Sequence, residues 1–221
     1  MNGKFLTFEG QDGAGKSSHI QPLAESLRAQ GFDVLVTREP GGTPLAEKLR
    51  SMILHEEMDV MTETLLAFAA RRNHIEQVIR PALEQGKLVI CDRFTDSTYA
   101  YQGYGRELPL EVIAQMEKWV QQDDSGVVLN PDLTLWFDVD PDVAAKRMSG
   151  RVEGDRFETQ KVEFFDRVRL GYFNRSADPR FIRIDSGKPQ GDVLEDVISV
   201  VDAFIWGRPD DLVRREEVVL S

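Results

Sequence analysis

The sequence predicts an α/β fold, a five-stranded parallel sheet flanked by helices in three layers, and three observations carry that expectation. Five short apolar runs, at 5–8, 34–36, 88–91, 133–139 and 181–184, are rich in Val, Ile, Leu and Phe without polar alternation, as strands buried on both faces require. Longer segments with helix signals separate the runs, and strand-helix-strand order implies right-handed crossovers into one parallel sheet. No internal repeat or low-complexity linker interrupts this order.

Each helix has its own start or stop signal. The first is expected over 16–30, closing at Gly31, a residue suited to the left-handed conformation after a helix end. The second, 44–55, opens on Pro44, whose fixed φ suits a first helical position. The third runs over 62–79 and is expected to stop at Pro81, which lacks a backbone N–H. Further helices are expected over 110–120, 141–148, 161–175 and 193–206. Together they define one domain over 1–206, with a glycine-containing, densely charged stretch at about 147–158 read as a short mobile lid. A tail, 207–221, is left without an assignment.

Charge narrows the function classes. Among 221 residues, 38 Asp and Glu outnumber 27 Lys and Arg, a formal net charge of -11. A surface of that sign suits neither a nucleic-acid polymer nor an anionic membrane, which call for clustered uncompensated positive charge. Phosphate, if bound, must be bound locally. The single cysteine, Cys91, has no internal disulfide partner, and no apolar run approaches the roughly 20 residues of a membrane span. The chain is therefore expected in the cytoplasm.

After the first strand, Gly10-Gln11-Asp12-Gly13-Ala14-Gly15-Lys16-Ser17 satisfies G-x-x-x-x-G-K-[ST] between a strand and a helix, the context of a P-loop NTPase fold. Glycines let consecutive N–H groups converge on a polyphosphate, and the helix N-terminus adds positive dipole. Lys16 is expected to reach the β/γ-phosphates of a nucleoside triphosphate and the Ser17 hydroxyl to ligate Mg²⁺. Asp92, at the carboxyl end of the third strand, is a second Mg²⁺ candidate. Arg38 and Arg93 each follow a strand directly, at the sheet edge where open α/β folds bind ligands. His19, His55 and His74 show no partner pattern and receive no chemistry.

Three blocks then acquire a specific meaning: Thr37-Arg38-Glu39-Pro40-Gly41-Gly42-Thr43, Phe68-Ala69-Ala70-Arg71-Arg72, and Asp92-Arg93-x-x-x-Ser97 followed by Ala100-Tyr101-Gln102-Gly103. Together they resemble the bacterial thymidylate kinases, in the arrangement that lacks a P-loop arginine and supplies one from the lid. The resemblance implies Mg²⁺-dependent transfer of the ATP γ-phosphoryl to dTMP, giving dTDP and ADP in dTTP biosynthesis, by a homodimer. It implies that Arg93, and Arg38 with it, meet the acceptor phosphate, that Phe68 stacks on thymine and that Arg72 bonds a thymine carbonyl. Ser97, Thr98, Tyr101 and Gln102 match the nucleoside pocket, with Tyr101 near the sugar face. Asp12 matches an acidic position close to the acceptor sugar or the metal-bound phosphates. Arg151 matches the transition-state cation of the lid, and Arg147 joins the ATP site. The alternatives are a P-loop kinase for another nucleotide or small metabolite, and a nucleotide-binding module without turnover.

Overall fold

The computed structural model describes residues 3–148, 157 and 162–207. Its strands are β1 (Lys4–Glu9), β2 (Val34–Arg38), β3 (Leu88–Asp92), β4 (Leu133–Asp138) and β5 (Phe181–Asp185), each within two residues of the expected bounds. They form one parallel sheet, as the sequence predicts, and its strand order is β2-β3-β1-β4-β5. The register sets Phe8 opposite Asp92, and Asp92 opposite Arg38, so the carboxyl ends of the three strands carrying candidate site residues lie level.

Alternating side chains of β1 explain why both faces are covered. Leu6 and Phe8 pack with Leu23 and Leu27 of helix α1 (Ser17–Ala29) and with Val197 and Val201 of α9 (Gln190–Ile205). Phe5 faces the other way, against Ile75, Ile79, Val89 and Phe94. Helix α1 ends as its glycine predicts: Gly31 takes φ 93°, its N–H reaches Arg28 O at 2.9 Å, and the Phe32 N–H reaches Leu27 O at 3.1 Å. Helix α2 (Pro44–His55) is capped by Thr43 Oγ1, which accepts from the Ala46 N–H at 3.0 Å.

Pro81 does not end the third helix. The chain runs from α3 (Val60–His74) through a π-helical segment, Ile75–Ile79, into α4 (Arg80–Glu84), whose first turn contains Pro81. The wider π turn sends the Arg80 N–H back to Ile75 O, and a first-turn position makes no demand on the proline's missing N–H. After β3 come a short helix α5 (Thr95–Thr98) and a second π-helical segment, Tyr99–Gly105, neither of which the periodicity announces. Helices α6 (Leu110–Gln121), α7 (Pro141–Met148) and α8 (Val162–Arg175) complete the layers close to expectation.

Candidate active site

Glycine makes the loop after β1 possible. Gly10 sits at φ 137° with its α-carbon against the Phe137 carbonyl, and a Cβ on Gly13, at φ 79°, would lie 2.5 Å from Ala144 O. Neither position admits a side chain. Gln11 is buried and ties the loop to β4 through Nε2 to Val139 O at 3.0 Å. Lys16 Nζ donates to Gly10 O at 2.9 Å and Gln11 O at 3.1 Å. Burial, then the like charge of Arg93, brings its ammonium down to about 8 despite Asp92, Asp12 and Glu9. A polyphosphate would supply the anion this lysine lacks.

Arg93 is the hub. It is held at φ 69°, a conformation that costs a non-glycine residue energy and is kept where surroundings fix it. Nη1 donates to Gly10 O at 2.8 Å, Ser97 Oγ at 3.1 Å and Tyr172 Oη at 3.1 Å; Nη2 donates to Asp12 Oδ1 at 2.7 Å and Tyr101 Oη at 3.2 Å. Burial alone would lower its pKa, but Tyr101, Asp12 and Tyr172 hold it well above its ordinary value. Asp12 is its counterpart. Burial disfavours the ionised carboxyl, yet Arg93, Lys16 and the Tyr101 hydroxyl more than offset this and bring it to about 2.

Behind Arg93 lies Glu9, whose Oε1 accepts from the Phe94 N–H at 2.7 Å and whose Oε2 accepts from Ser97 at 2.6 Å and Tyr172 at 3.1 Å. Burial, then the charge of Asp96, pushes it up to about 7.

Arg93 also lines a cleft of about 630 Å³ between the loop and helices α2 and α3, walled by Asp12, Glu39, Arg50, Arg71, Ser97, Thr98, Tyr101 and Gln102 over a floor that includes Ala67 and Phe94. Of the residues expected there, Arg93, Ser97, Thr98, Tyr101 and Gln102 are gathered; Phe68 and Arg72 are not. Phe68 is buried with Tyr99, Leu108 and Ile113. The Arg72 side chain is 47% exposed, pairs with Glu76 at 3.0 Å and donates to Val120 O at 2.9 Å. The helix face on the cleft carries Ala67 and Arg71, also four apart. The expectation is therefore out of register by one residue, a rotation of about 100° about the helix axis. Two adjacent arginines gave the sequence no means of choosing between them.

Arg38 ends β2 at the sheet edge, as expected, but is not part of the cleft wall. It lies at the rim, 55% exposed, with Nε and Nη2 on the two Glu47 carboxylate oxygens at 3.3 and 2.9 Å. Arg50 instead enters the cleft wall, its Nη1 on Pro40 O at 2.9 Å. Burial, then the charges of Arg38 and Arg93, lowers its pKa against the opposing pull of Glu47 and Asp92. Sequence reasoning missed Arg50, Arg71 and Glu39. Glu39 directly follows β2, within the 37–43 block, and that position was the available signal.

Two oxygen groups at the loop fit a hard divalent cation. Ser17 Oγ donates to Asp92 Oδ2 at 3.4 Å, and Asp92 Oδ1 is buried without a hydrogen-bond partner among the described residues. No group of three or more His, Cys, Asp or Glu suited to a metal occurs among the described residues. Phosphate oxygens and water would have to complete the shell, a pattern suited to Mg²⁺.

A second cavity, of about 480 Å³, lies on the other side of the loop, lined by Gly15, Ser18, His19, Arg147, Ser186, Lys188 and Gln190. Arg147 spans it, with Nη2 on Ser186 O at 2.9 Å. Arg151 and most of the expected lid lie outside the described residues, as does 208–221 of the tail.

Comparison with known proteins gives one answer. The family model for thymidylate kinase matches residues 8–197. The thymidylate kinase of Paracidovorax citrulli is 55% identical over 204 residues, covering 90% of this chain and 92% of its own. That of Albidiferax ferrireducens is 52% identical over 209 residues, covering 92% and 97%. The crystal structure of thymidylate kinase from Ehrlichia chaffeensis superposes with a TM-score of 0.72 at 35% identity, over 91% of this chain and 99% of that one. The chain belongs to the thymidylate kinase family.

Proposed function

We propose that this nucleoside monophosphate kinase works with ATP on the P-loop and dTMP in the cleft beside Arg71 and Arg93, passing the γ-phosphoryl to the dTMP phosphate to give dTDP and ADP. One observation carries the arrangement: Arg93 and Asp12 belong to the cleft wall and are bonded to the loop at once, so acceptor and donor phosphates would meet at that pair. The attacking oxygen is already anionic near neutral pH. Positioning and charge neutralisation are then the protein's main tasks, and no strong general base is needed.

Arg93, Arg50 and, from the rim, Arg38 supply positive charge for the acceptor phosphate. Arg71 Nη1, buried and without a partner among the described residues, offers donors to a carbonyl oxygen of the pyrimidine. Tyr101, fixed by Asp12, closes the cleft at the sugar, where a 2′-hydroxyl would crowd it. Lys16 would meet the β/γ-phosphates and Arg147 the rest of ATP. Ser17 and Asp92 would hold Mg²⁺, which when bound neutralises charge on the phosphates. Arg151 is assigned the lid cation by the family pattern in the sequence.

A homodimer belongs to the same reading, supported by exposed Leu45 and Met52 on α2 and Met61 and Leu65 on α3, two helices that pack together. No helix among the described residues is long and apolar enough to cross a membrane, and a cytoplasmic location is proposed alongside. Steady-state release of ADP from ATP and Mg²⁺, with dTMP or dUMP as acceptor, tests the assignment. dTMP should be the better acceptor, and equal or better turnover of dUMP would refute the base assignment.

A further inference from the structure

A buried chain of hydrogen bonds runs beneath the cleft. Thr37 Oγ1 lies 2.7 Å from His74 Nε2, and His74 Nδ1 lies 2.9 Å from Glu39 Oε1. The other Glu39 oxygen accepts from Arg71 Nε at 2.7 Å. A neutral imidazole with its proton on Nδ1 satisfies every link: the Thr37 hydroxyl donates to Nε2, and Nδ1–H donates to Glu39. Gly42 backs the ring closely, since a Cβ there would collide with the imidazole. The side chains of His74, Glu39 and Arg71 are 0%, 2% and 4% exposed.

Arg71 is otherwise almost fully constrained. Nη2 donates to Phe94 O and Thr98 Oγ1, each at 3.1 Å, and its guanidinium carbon lies 4.9 Å from the centroid of Phe68 and 5.2 Å from that of Phe94. Nη1 alone is left without a partner among the described residues. A buried donor in that state costs free energy unless a ligand satisfies it, so its placement matters more than its presence. Glu39 belongs to the cleft wall and His74 lies behind it; through their bonds they set the plane of the guanidinium.

We propose that Glu39 and His74 are positioning residues for acceptor-base recognition, acting through Arg71 to aim Nη1 at a carbonyl oxygen of the pyrimidine. The inference rests on the reading that Arg71 meets the base. A rigid donor-only group rejects a base bearing an amino group at the same place, because two donors would then face each other. Loosening the chain should therefore weaken acceptor binding and discrimination together, leaving the donor side alone.

The test is steady-state kinetics of the full chain with ATP and Mg²⁺, using dTMP and 5-methyl-dCMP, in which an amino group replaces the 4-carbonyl at equal size. Variants are Arg71→Ala, His74→Ala, His74→Asn and Thr37→Val. His74→Ala should raise KM for dTMP about tenfold, keep KM for ATP within about twofold and reduce the preference for dTMP over 5-methyl-dCMP by about tenfold. His74→Asn, whose amide N–H takes the place of Nδ1–H, should recover most of both losses. A loss of stability alone would leave the acceptor preference of the folded enzyme unchanged. Normal acceptor kinetics in His74→Ala beside damaged kinetics in Arg71→Ala would overturn the positioning role while keeping the base contact. Normal acceptor kinetics in Arg71→Ala would overturn the base contact and the positioning role together. If His74→Ala fails to fold, Thr37→Val decides: the same pattern in milder form supports the chain, and unchanged kinetics overturns it.

Discussion

Arg93 Nη2 donates to Asp12 Oδ1 at 2.7 Å, joining a residue at the end of β3 to one inside the P-loop. Under the proposed function, this contact would help to set the distance between donor and acceptor phosphates. An arginine held in the left-handed region keeps its position only because Gly10, Ser97, Tyr172, Asp12 and Tyr101 together define it.

Arg93→Lys should consequently keep the charge but lose most of the function. A lysine has neither the fork that serves two groups of acceptors nor the reach to span them. Loss of one preorganised cation of this kind is expected to lower kcat/KM for dTMP by about 10²- to 10³-fold. Steady-state kinetics with thermal unfolding as a control for folding would check it; a loss below about fivefold contradicts the hub role.

Arg151→Ala tests the lid assignment. Turnover should fall by about 10³-fold or more, while affinity for ATP, read by equilibrium binding, should change little. A normal turnover number would remove Arg151 from the chemistry.

Glu9 predicts a pH dependence of stability. Its folded value of about 7 lies above the ordinary 4.5, so in the fold it holds a proton that the unfolded chain has released. The resulting stability is fully present below pH 4.5 and is lost as pH rises through 7. Glu9→Gln removes the titration, and Ser97 and Tyr172, as hydroxyls, are able to reverse their bonds to the new amide. Chemical denaturation of the ligand-free protein should show a flatter profile for Glu9→Gln between pH 4.5 and 7, with a relative gain on the order of 2 kcal/mol at pH 8. Parallel profiles for the two proteins would contradict the buried, raised carboxyl.

The sheet was legible because its strands are apolar on both faces, a pattern that few other elements share, and the P-loop because its eight positions sit between a strand and a helix. Arg93, Ser97, Tyr101 and Gln102 came from one block whose spacing survives folding. What was hidden follows from geometry that a 3.6-residue period does not contain. The π-helical segments at Ile75–Ile79 and Tyr99–Gly105 take wider turns, and past the first of them the helix continues through Pro81. The inward face of α3 depends on a choice between Arg71 and Arg72 that distant partners resolve: Glu39, Phe94 and Thr98. Arg50 emerges for a similar reason, since its place in the cleft wall depends on the Pro40 carbonyl outside its own helix.

That choice on α3 bears most directly on where the acceptor lies. Arg71→Ala and Arg72→Ala should be compared in one assay, measuring KM for dTMP and for ATP with Mg²⁺ present. The cleft described above predicts that Arg71→Ala raises KM for dTMP by about tenfold or more with KM for ATP near normal, and that Arg72→Ala, which lies on the exposed face, changes both by less than about twofold. A large rise in KM for dTMP in Arg72→Ala, with Arg71→Ala near normal, would contradict the placement of the acceptor.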